Sequence, residues 1–335
     1  MKAMLLQETG GPEMVKCTEV EKPAAGSWEI IVKLKNASLN RRDVFVTYGK
    51  YPGMKLPAVL GADGAGIVDS VGEGVESLRA GDEVVINPGL QWGEDIRFNS
   101  PKFHILGMPT DGTYAEYVKI SCENVYKKPA YLTWPEAAAL PLSALTAYRA
   151  LITRGELKKD ETVFIPGIGG GVALFALQIA VAKGARVFVS SSSDEKLERA
   201  RHMGAAGGVN YREDGWAKKL KNEMGGADLI IDGVGGETFN HLISIAKPGG
   251  RIVNFGATTG PVPEFLLPRA FFKHLDIRGT TMGSPQEFAD MLMLFEQEKI
   301  HPMIDRHFPL EKAAEALQYM ENGDSFGKIV LDIEG

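Results

Sequence analysis

The apolar positions along the chain follow two different rhythms. From residue 1 to about 125 they fall in short runs broken by Gly and Pro: "KAMLLQ", "EIIVKLKNASL", "AGIVDSVG", "DEVVINP" and "GTYAEYVKI". Runs of that length and spacing predict a small barrel or curled sheet. After "TWPEAAALPLSALTAYRALI" the pattern changes to apolar strands alternating with amphipathic helices. Strands are predicted at 162–165, 186–190, near 208–210, 228–232, 251–255 and 276–281, and helices at 171–183, 194–203, 213–224 and 236–246. Such alternation predicts an α/β domain, a doubly wound parallel sheet covered on both faces. Two more amphipathic helices, "SPQEFADMLMLFEQEKI" and "LEKAAEALQYMENG", precede a last strand, "GKIVLDI". A strand after the final βα unit can return to the first domain, making it discontinuous and leaving a cleft between the two, where ligands usually bind. The expected division is 1–125, 126–283 and a returning segment, 284–335.

The chain's 335 residues suffice for two cores, and its 44% apolar and 24% charged residues are ordinary for a globular protein. With 37 Lys plus Arg against 43 Asp plus Glu, the net charge of −6 gives no general attraction for nucleic acid or an anionic membrane. No run reaches the roughly 18 consecutive apolar residues of a membrane span, and the apolar stretch of "MKAMLLQETGGPE" is too short for a signal peptide. A cytoplasmic protein is therefore expected. Cys17 and Cys122 lie far apart, which suits a reducing compartment and excludes a zinc site built from cysteines.

The segment "VFIPGIGGGVALFALQIA", 163–180, places a glycine-rich turn between an apolar strand and an apolar helix. The familiar G-x-G-x-x-G/A spacing of dinucleotide sites fails here, because its third position would be Val172 or Leu174, where close packing needs a small residue. Gly167-x-x-Gly170-x-x-Ala173 instead sets small residues one helical turn apart, and Ala173 lets the helix sit close to its strand. Backbone N–H groups around Gly169, Gly170, Gly171 and Val172 would then point at a pyrophosphate, aided by the helix dipole.

The next strand bears on the choice of dinucleotide. An NAD site has an acid about 20 residues on, hydrogen-bonded to the ribose 2′-OH. Here "ARVFVSSSSDEK" ends its strand in Ser190 and Ser191. Hydroxyls and a nearby Lys can receive a 2′-phosphate that an Asp would repel. NADPH is therefore expected, with Ser191 and Lys196 on the phosphate and Ser190 and Tyr211 as further candidates. Ser192-x-x-Glu195 reads as a capping box, which gives Ser192 a structural role.

Taken together, "GADGAGIVDSVGEGVESLRAGDEVV", "DGTYAEYVKI", "AAALPLSALTAYRAL", the glycine turn, "DLIIDGVGGETF", "KPGGRIVNFGATTG" and "FGKIVLDI" resemble the medium-chain dehydrogenase/reductases over nearly the whole chain. The resemblance is to zinc-free quinone oxidoreductases and enoyl reductases. It implies a Rossmann domain beside a GroES-like β-barrel catalytic domain. Zinc members carry a Cys near the start of the motif that here reads "NRRD" and a His-Glu pair within "GADGAG"; this chain has Asn40, Ala62 and Asp63 there. No Cys or His lies between 123 and 201 to act as a third ligand, and a catalytic zinc needs about three. The stretch resembling the structural zinc lobe has no cysteine, and His104 alone cannot hold a metal. No metal is expected.

Without a Lewis acid, the accessible reaction is hydride transfer from NADPH to a polarised acceptor, a quinone or an alkene conjugated to a carbonyl. By resemblance to enoyl thioester reductases, Tyr51 of "GKYP" is the proton donor and Tyr48 its reserve. Asn40 matches a position that contacts cofactor or substrate, and Asp43 matches with a structural role. Phe255, Gly256 and Lys328 are implied as contacts at the nicotinamide end. The family's last sheet strand, here within "FFKHLDIRGTTMGS", implies a homodimer. Two alternatives remain open: an alcohol/carbonyl dehydrogenase that has lost its metal, and a non-catalytic NADPH-binding protein like the crystallin or RNA-binding relatives. The absence of a basic run longer than Arg41-Arg42 argues against RNA.

Overall fold

The computed structural model describes residues 1–334. They form two compact units, Met1–Leu145 with Gly283–Gly335, and Thr146–Met282. The units divide after 145 and after 282, where the sequence led to an expected division after 125 and after 283; the first division therefore lies 20 residues later. The reason is that the helix Trp134–Ala139 packs on the strands Glu29–Ser38 and Asp63–Val71 of the first unit, extending that unit's core.

Strands dominate the first unit. Glu29–Ser38 runs antiparallel to both Asp63–Val71 and Tyr117–Ser121, and a smaller sheet joins Lys2–Leu6 to Val15–Glu19 and Ala58–Val59. The last strand, Lys328–Asp332, pairs antiparallel with the far end of Glu29–Ser38, Val330 lying opposite Ser38. A core of Met4, Leu6, Leu39, Val44, Tyr114, Leu317 and Leu331 is closed by the C-terminal helix Ala313–Asn322. The short helix Arg41–Thr47, the first turn after Glu29–Ser38, carries the motif "NRRD" and buries Arg42, Asp43 and Val44.

The second unit is one six-stranded parallel sheet. Its order across the sheet is Gly207–Asn210, Arg186–Ser191, Thr162–Ile165, Ala227–Asp232, Ala246–Asn254 and Asp276–Gly279. This is the strand order of dinucleotide-binding sheets, in which ligands bind at the carboxyl ends where the winding reverses. The reversal falls between Thr162–Ile165 and Ala227–Asp232. Both strands are buried along almost their whole length and carry the apolar runs 163–165 and 229–231, as burial on two faces requires. The helix expected at 213–224 begins only at Trp216, because Gly215 takes a left-handed φ of 69°. The helix expected at 236–246 opens with the 3₁₀ turn Gly236–Thr238 before Phe239–Ile245.

Gly66 shows how tightly the first sheet is drawn together. It lies between Leu34 and Val84, and a Cβ there would press into the Lys33 carbonyl oxygen, a backbone atom that cannot rotate away. Gly66→Ala should therefore cost about 3 kcal/mol, the upper part of the range for overpacking. Equilibrium urea unfolding checks the loss.

Candidate active site

At the start of the helix Arg41–Thr47, chain reversal brings four distant segments onto one buried cluster. Asp63 is fully buried at the head of its strand. Its Oδ2 lies 3.0 Å from Lys328 Nζ, 2.9 Å from Asn40 Nδ2 and 3.1 Å from Ser38 Oγ, while its Oδ1 accepts the Leu142 N–H at 2.8 Å. Lys328 also donates to Leu39 O at 2.7 Å and Asn40 Oδ1 at 2.9 Å, and Ser143 Oγ donates to Asn40 Oδ1 at 3.1 Å. A charged pair survives out of water only when its remaining donors and acceptors are met, and here they are.

This arrangement corrects two expectations. Lys328, expected at the nicotinamide, is 3% exposed and spends its three N–H donors inside the first unit. Asn40, expected to contact cofactor or substrate, is 5% exposed and uses both ends of its amide within the cluster. Asp43 does hold the local structure: its Oδ2 accepts the Asn40 N–H at 2.9 Å and the Tyr114 hydroxyl at 2.7 Å. Burial pushes the Asp43 carboxyl above the ordinary carboxylate range, opposed chiefly by the adjacent Arg42 charge. Burial likewise pushes the Tyr114 hydroxyl well above its usual range, so it stays a donor.

Tyr51 is half-buried against the first unit's core, its ring 4.5 Å from Arg42 Cζ. Tyr48 is elsewhere in its bonding: it is exposed at the helix C-cap, and its hydroxyl donates to Glu321 Oε2 at 3.1 Å. That bond raises the Tyr48 hydroxyl above its usual range, which ill suits a reserve acid.

In the second unit the glycine turn follows Thr162–Ile165 directly. Gly167 takes a φ of 67° and Gly169 a φ of 137°, conformations that side chains disfavour. A Cβ on Gly167 would also meet Val234 Cγ2 at 3.0 Å. Gly170 caps the helix Gly171–Ala182 without a side-chain acceptor, and the first intrahelical bond is Leu174 N–H to Gly170 O at 3.1 Å. The N–H groups of Gly171, Val172 and Ala173 therefore have no partner within the helix, the arrangement that binds phosphate.

Ser190 fixes this turn. It is 1% exposed, its Oγ accepts the Gly167 N–H at 3.3 Å and its carbonyl accepts the Ile168 N–H at 2.8 Å. Its inward orientation corrects the expectation of a phosphate ligand. Ser191, 3% exposed, accepts the Ser193 N–H at 3.2 Å and keeps its hydroxyl hydrogen to donate. Ser193, not Ser192, caps the helix Asp194–His202, accepting the Lys196 N–H at 3.3 Å. The Lys196 side chain is half-buried in that first turn, and Tyr211 is exposed beyond the neighbouring strand, its N–H bonded to Ser191 O at 3.0 Å.

Across the reversal point, the half-buried Phe255 and Gly256 follow Ala246–Asn254, with Phe255 N–H on Asp232 O at 2.9 Å. The side chain of Asp232 accepts the Val234 N–H at 2.9 Å and the Asn254 amide at 2.8 Å. Sequence reasoning missed Asp232, Arg42, Ser143 and Tyr114 as site residues. Only Asp232 had a local signal, as the polar end of an apolar strand before "GVGG".

Residues 26–130 match the alcohol dehydrogenase GroES-like domain, and residues 171–297 match the zinc-binding dehydrogenase family. The chain is 36% identical to the zinc-type alcohol dehydrogenase-like protein YogA of Leptosphaeria maculans, over 94% of this chain and 93% of that one. It is 31% identical to the quinone oxidoreductase of Lama guanicoe, over 99% of this chain and 97% of that one. The chain belongs to the medium-chain dehydrogenase/reductase superfamily. A solved NAD-dependent alcohol dehydrogenase superposes with a TM-score of 0.95 at 39% identity, covering all of both chains.

Membership in this superfamily raises the question of zinc, and the residues present do not fit it. The described residues contain no group of three His, Cys, Asp or Glu side chains able to hold a metal. Ala62 offers no ligand atom, and Asp63, the one carboxylate at that place, faces the Lys328 ammonium at 3.0 Å.

Removing one partner of this pair strands the other charge. Lys328→Met should destabilise the fold by about 3–5 kcal/mol, and the double variant Lys328→Met/Asp63→Asn should recover part of that loss. Denaturant midpoints of the two variants and the parent provide the comparison.

Proposed function

We propose that this oxidoreductase is an NADPH-dependent reductase of quinones or α,β-unsaturated carbonyls that works without a metal. The observation that carries the reading is the saturation of Asp63 by Lys328 and Asn40 where zinc relatives keep ligands. Likeness to a quinone oxidoreductase supports the same class.

NADPH, when bound, supplies the hydride. The first-turn amides of Gly171 and Val172, with the open turn at Gly169 and Gly170, hold its pyrophosphate. Ser191 and Lys196 take the 2′-phosphate, Tyr211 flanks it, and no carboxylate ends the Arg186–Ser191 strand to repel it. Phe255 and Gly256 border the nicotinamide. As hydride reaches the β-carbon of an enone, negative charge gathers on the carbonyl oxygen. The Tyr51 hydroxyl, which makes no hydrogen bond to another described residue, donates a proton to the resulting enolate.

We also propose a homodimer. The strand Asp276–Gly279 pairs on one edge only, and Leu267, Phe271, Phe272 and Ile277 nearby are 59%, 55%, 78% and 42% exposed. A bare strand edge beside apolar side chains needs a partner. Light scattering should give twice the chain mass for the parent and the single mass for Ile277→Lys/Phe272→Glu.

Fluorescence titration should show NADPH binding at least about tenfold tighter than NADH, as a charge-assisted contact to the 2′-phosphate provides. Tighter NADH binding overturns the cofactor assignment. Tyr51→Phe should lower kcat on enones by about 10²-fold, the effect of a lost general acid, with NADPH affinity kept and a smaller loss on quinones. Unchanged enone turnover removes Tyr51 from the mechanism.

A further inference from the structure

Arg42 is a buried guanidinium of the first unit whose bonding is incomplete among the described residues. It is 9% exposed. Its Nη1 donates to Leu106 O at 3.0 Å and reaches Asp43 Oδ1 at 3.4 Å. Its Nε and Nη2 are buried and meet no acceptor among the described residues. Buried donors on a charged group are expensive to leave unmet.

The two unmet nitrogens are not an arbitrary pair. Nε–H and one Nη2–H project in parallel from a single edge of the guanidinium, spaced to meet the two oxygens of a carboxylate. The plane of the group is held from one side by the Tyr51 ring at 4.5 Å. The same guanidinium therefore packs on the residue to which the reductase reading gives the proton.

Charge bears on the same point. Asp63 is committed to Lys328, Asn40 and Leu142, and Asp43 already receives Tyr114 and the Asn40 N–H. Asp43 reaches the Arg42 guanidinium only through Nη1, at 3.4 Å, which leaves the Nε/Nη2 edge without a facing carboxylate.

We propose that the Nε/Nη2 edge of Arg42 is the receptor for a carboxylate on the acceptor, so that the preferred substrates are α,β-unsaturated carbonyl compounds bearing an acidic group. The proposal rests on the reductase reading for its chemistry but not for its binding site. A lysine could supply the charge but not the two parallel donors.

The test compares 4-oxopent-2-enoic acid with its methyl ester as NADPH-linked acceptors, and measures calorimetric binding of the redox-inert 4-oxopentanoate. The parent should favour the acid by at least about tenfold in kcat/KM, the worth of a charge-assisted pair. Arg42→Lys should shrink that ratio and Arg42→Gln should bring it to about one, with 4-oxopentanoate binding weakened and lost in the same order. Thermal unfolding establishes that each variant is folded. Where a variant does not fold, the acid-to-ester ratio of the parent decides alone. A parent ratio near one, or a ratio that survives Arg42→Gln, overturns the proposal, the edge then being met by solvent. Enone turnover without acid preference removes the receptor and leaves the reductase. Binding of 4-oxopentanoate through Arg42 with no enone or quinone consuming NADPH removes the reductase and leaves the receptor.

Discussion

The buried ion pair of Lys328 and Asp63 ties together the two chain segments that make up the first unit. Lys328 opens the last strand, which adds to the sheet beside Glu29–Ser38, and Asp63 opens a strand on the other side of the same Glu29–Ser38. Both charges would be costly if left alone, because desolvation of an ion costs several kcal/mol even after relaxation. The fold offsets this by surrounding them with Leu39 O, Asn40, Ser38 and the Leu142 N–H. Docking of the C-terminal strand is thus coupled to the electrostatics of the site. The same bonds orient the start of Arg41–Thr47, and through it Arg42.

The second unit reaches a fixed geometry by different means. Its parallel strands end in turns, and two polar side chains at strand ends hold those turns in place. Ser190 accepts the N–H of Gly167, and Asp232 accepts the N–H groups of Val234 and Gly235. The two turns touch, since Gly167 has room only for hydrogen beside Val234. A turn that is already bonded to its neighbours has little freedom left to lose on binding any ligand.

Strand and helix order in the second unit was legible because burial on both faces leaves long apolar runs and because Gly marks the turns. The strand at Thr162–Ile165 and the glycine turn sit where periodicity puts them. Side-chain direction was not legible. Four serines in a row carry no sign of which turn inward, and only the pairing of Arg186–Ser191 with both neighbours makes Ser190 a brace and Ser193 the cap. Lys328 was misplaced for a related reason. Its motif marks a position in the chain, but its partners, Asn40 and Asp63, are 288 and 265 residues away, and no local pattern encodes that meeting. Arg42 escaped notice because a basic residue in a helix's first turn looks like solvated surface until its burial is seen.

Lys328 and Arg42 divide the work of the buried cations by the shape of their donors. An ammonium has three N–H bonds on one small centre, and three acceptors, Leu39 O, Asn40 Oδ1 and Asp63 Oδ2, consume them. It locks structure and has nothing left for a ligand. A guanidinium has five N–H bonds spread over two edges, so bonds from Nη1 to Leu106 O and Asp43 hold it while the Nε/Nη2 edge stays unspent. Exchanging the two residues would leave the charge balance intact, yet it would place surplus donors against Asp63 and leave too few beside Tyr51. The type of cation at each position, more than the net charge, decides which end of this cluster has all its donors met and which keeps donors unspent.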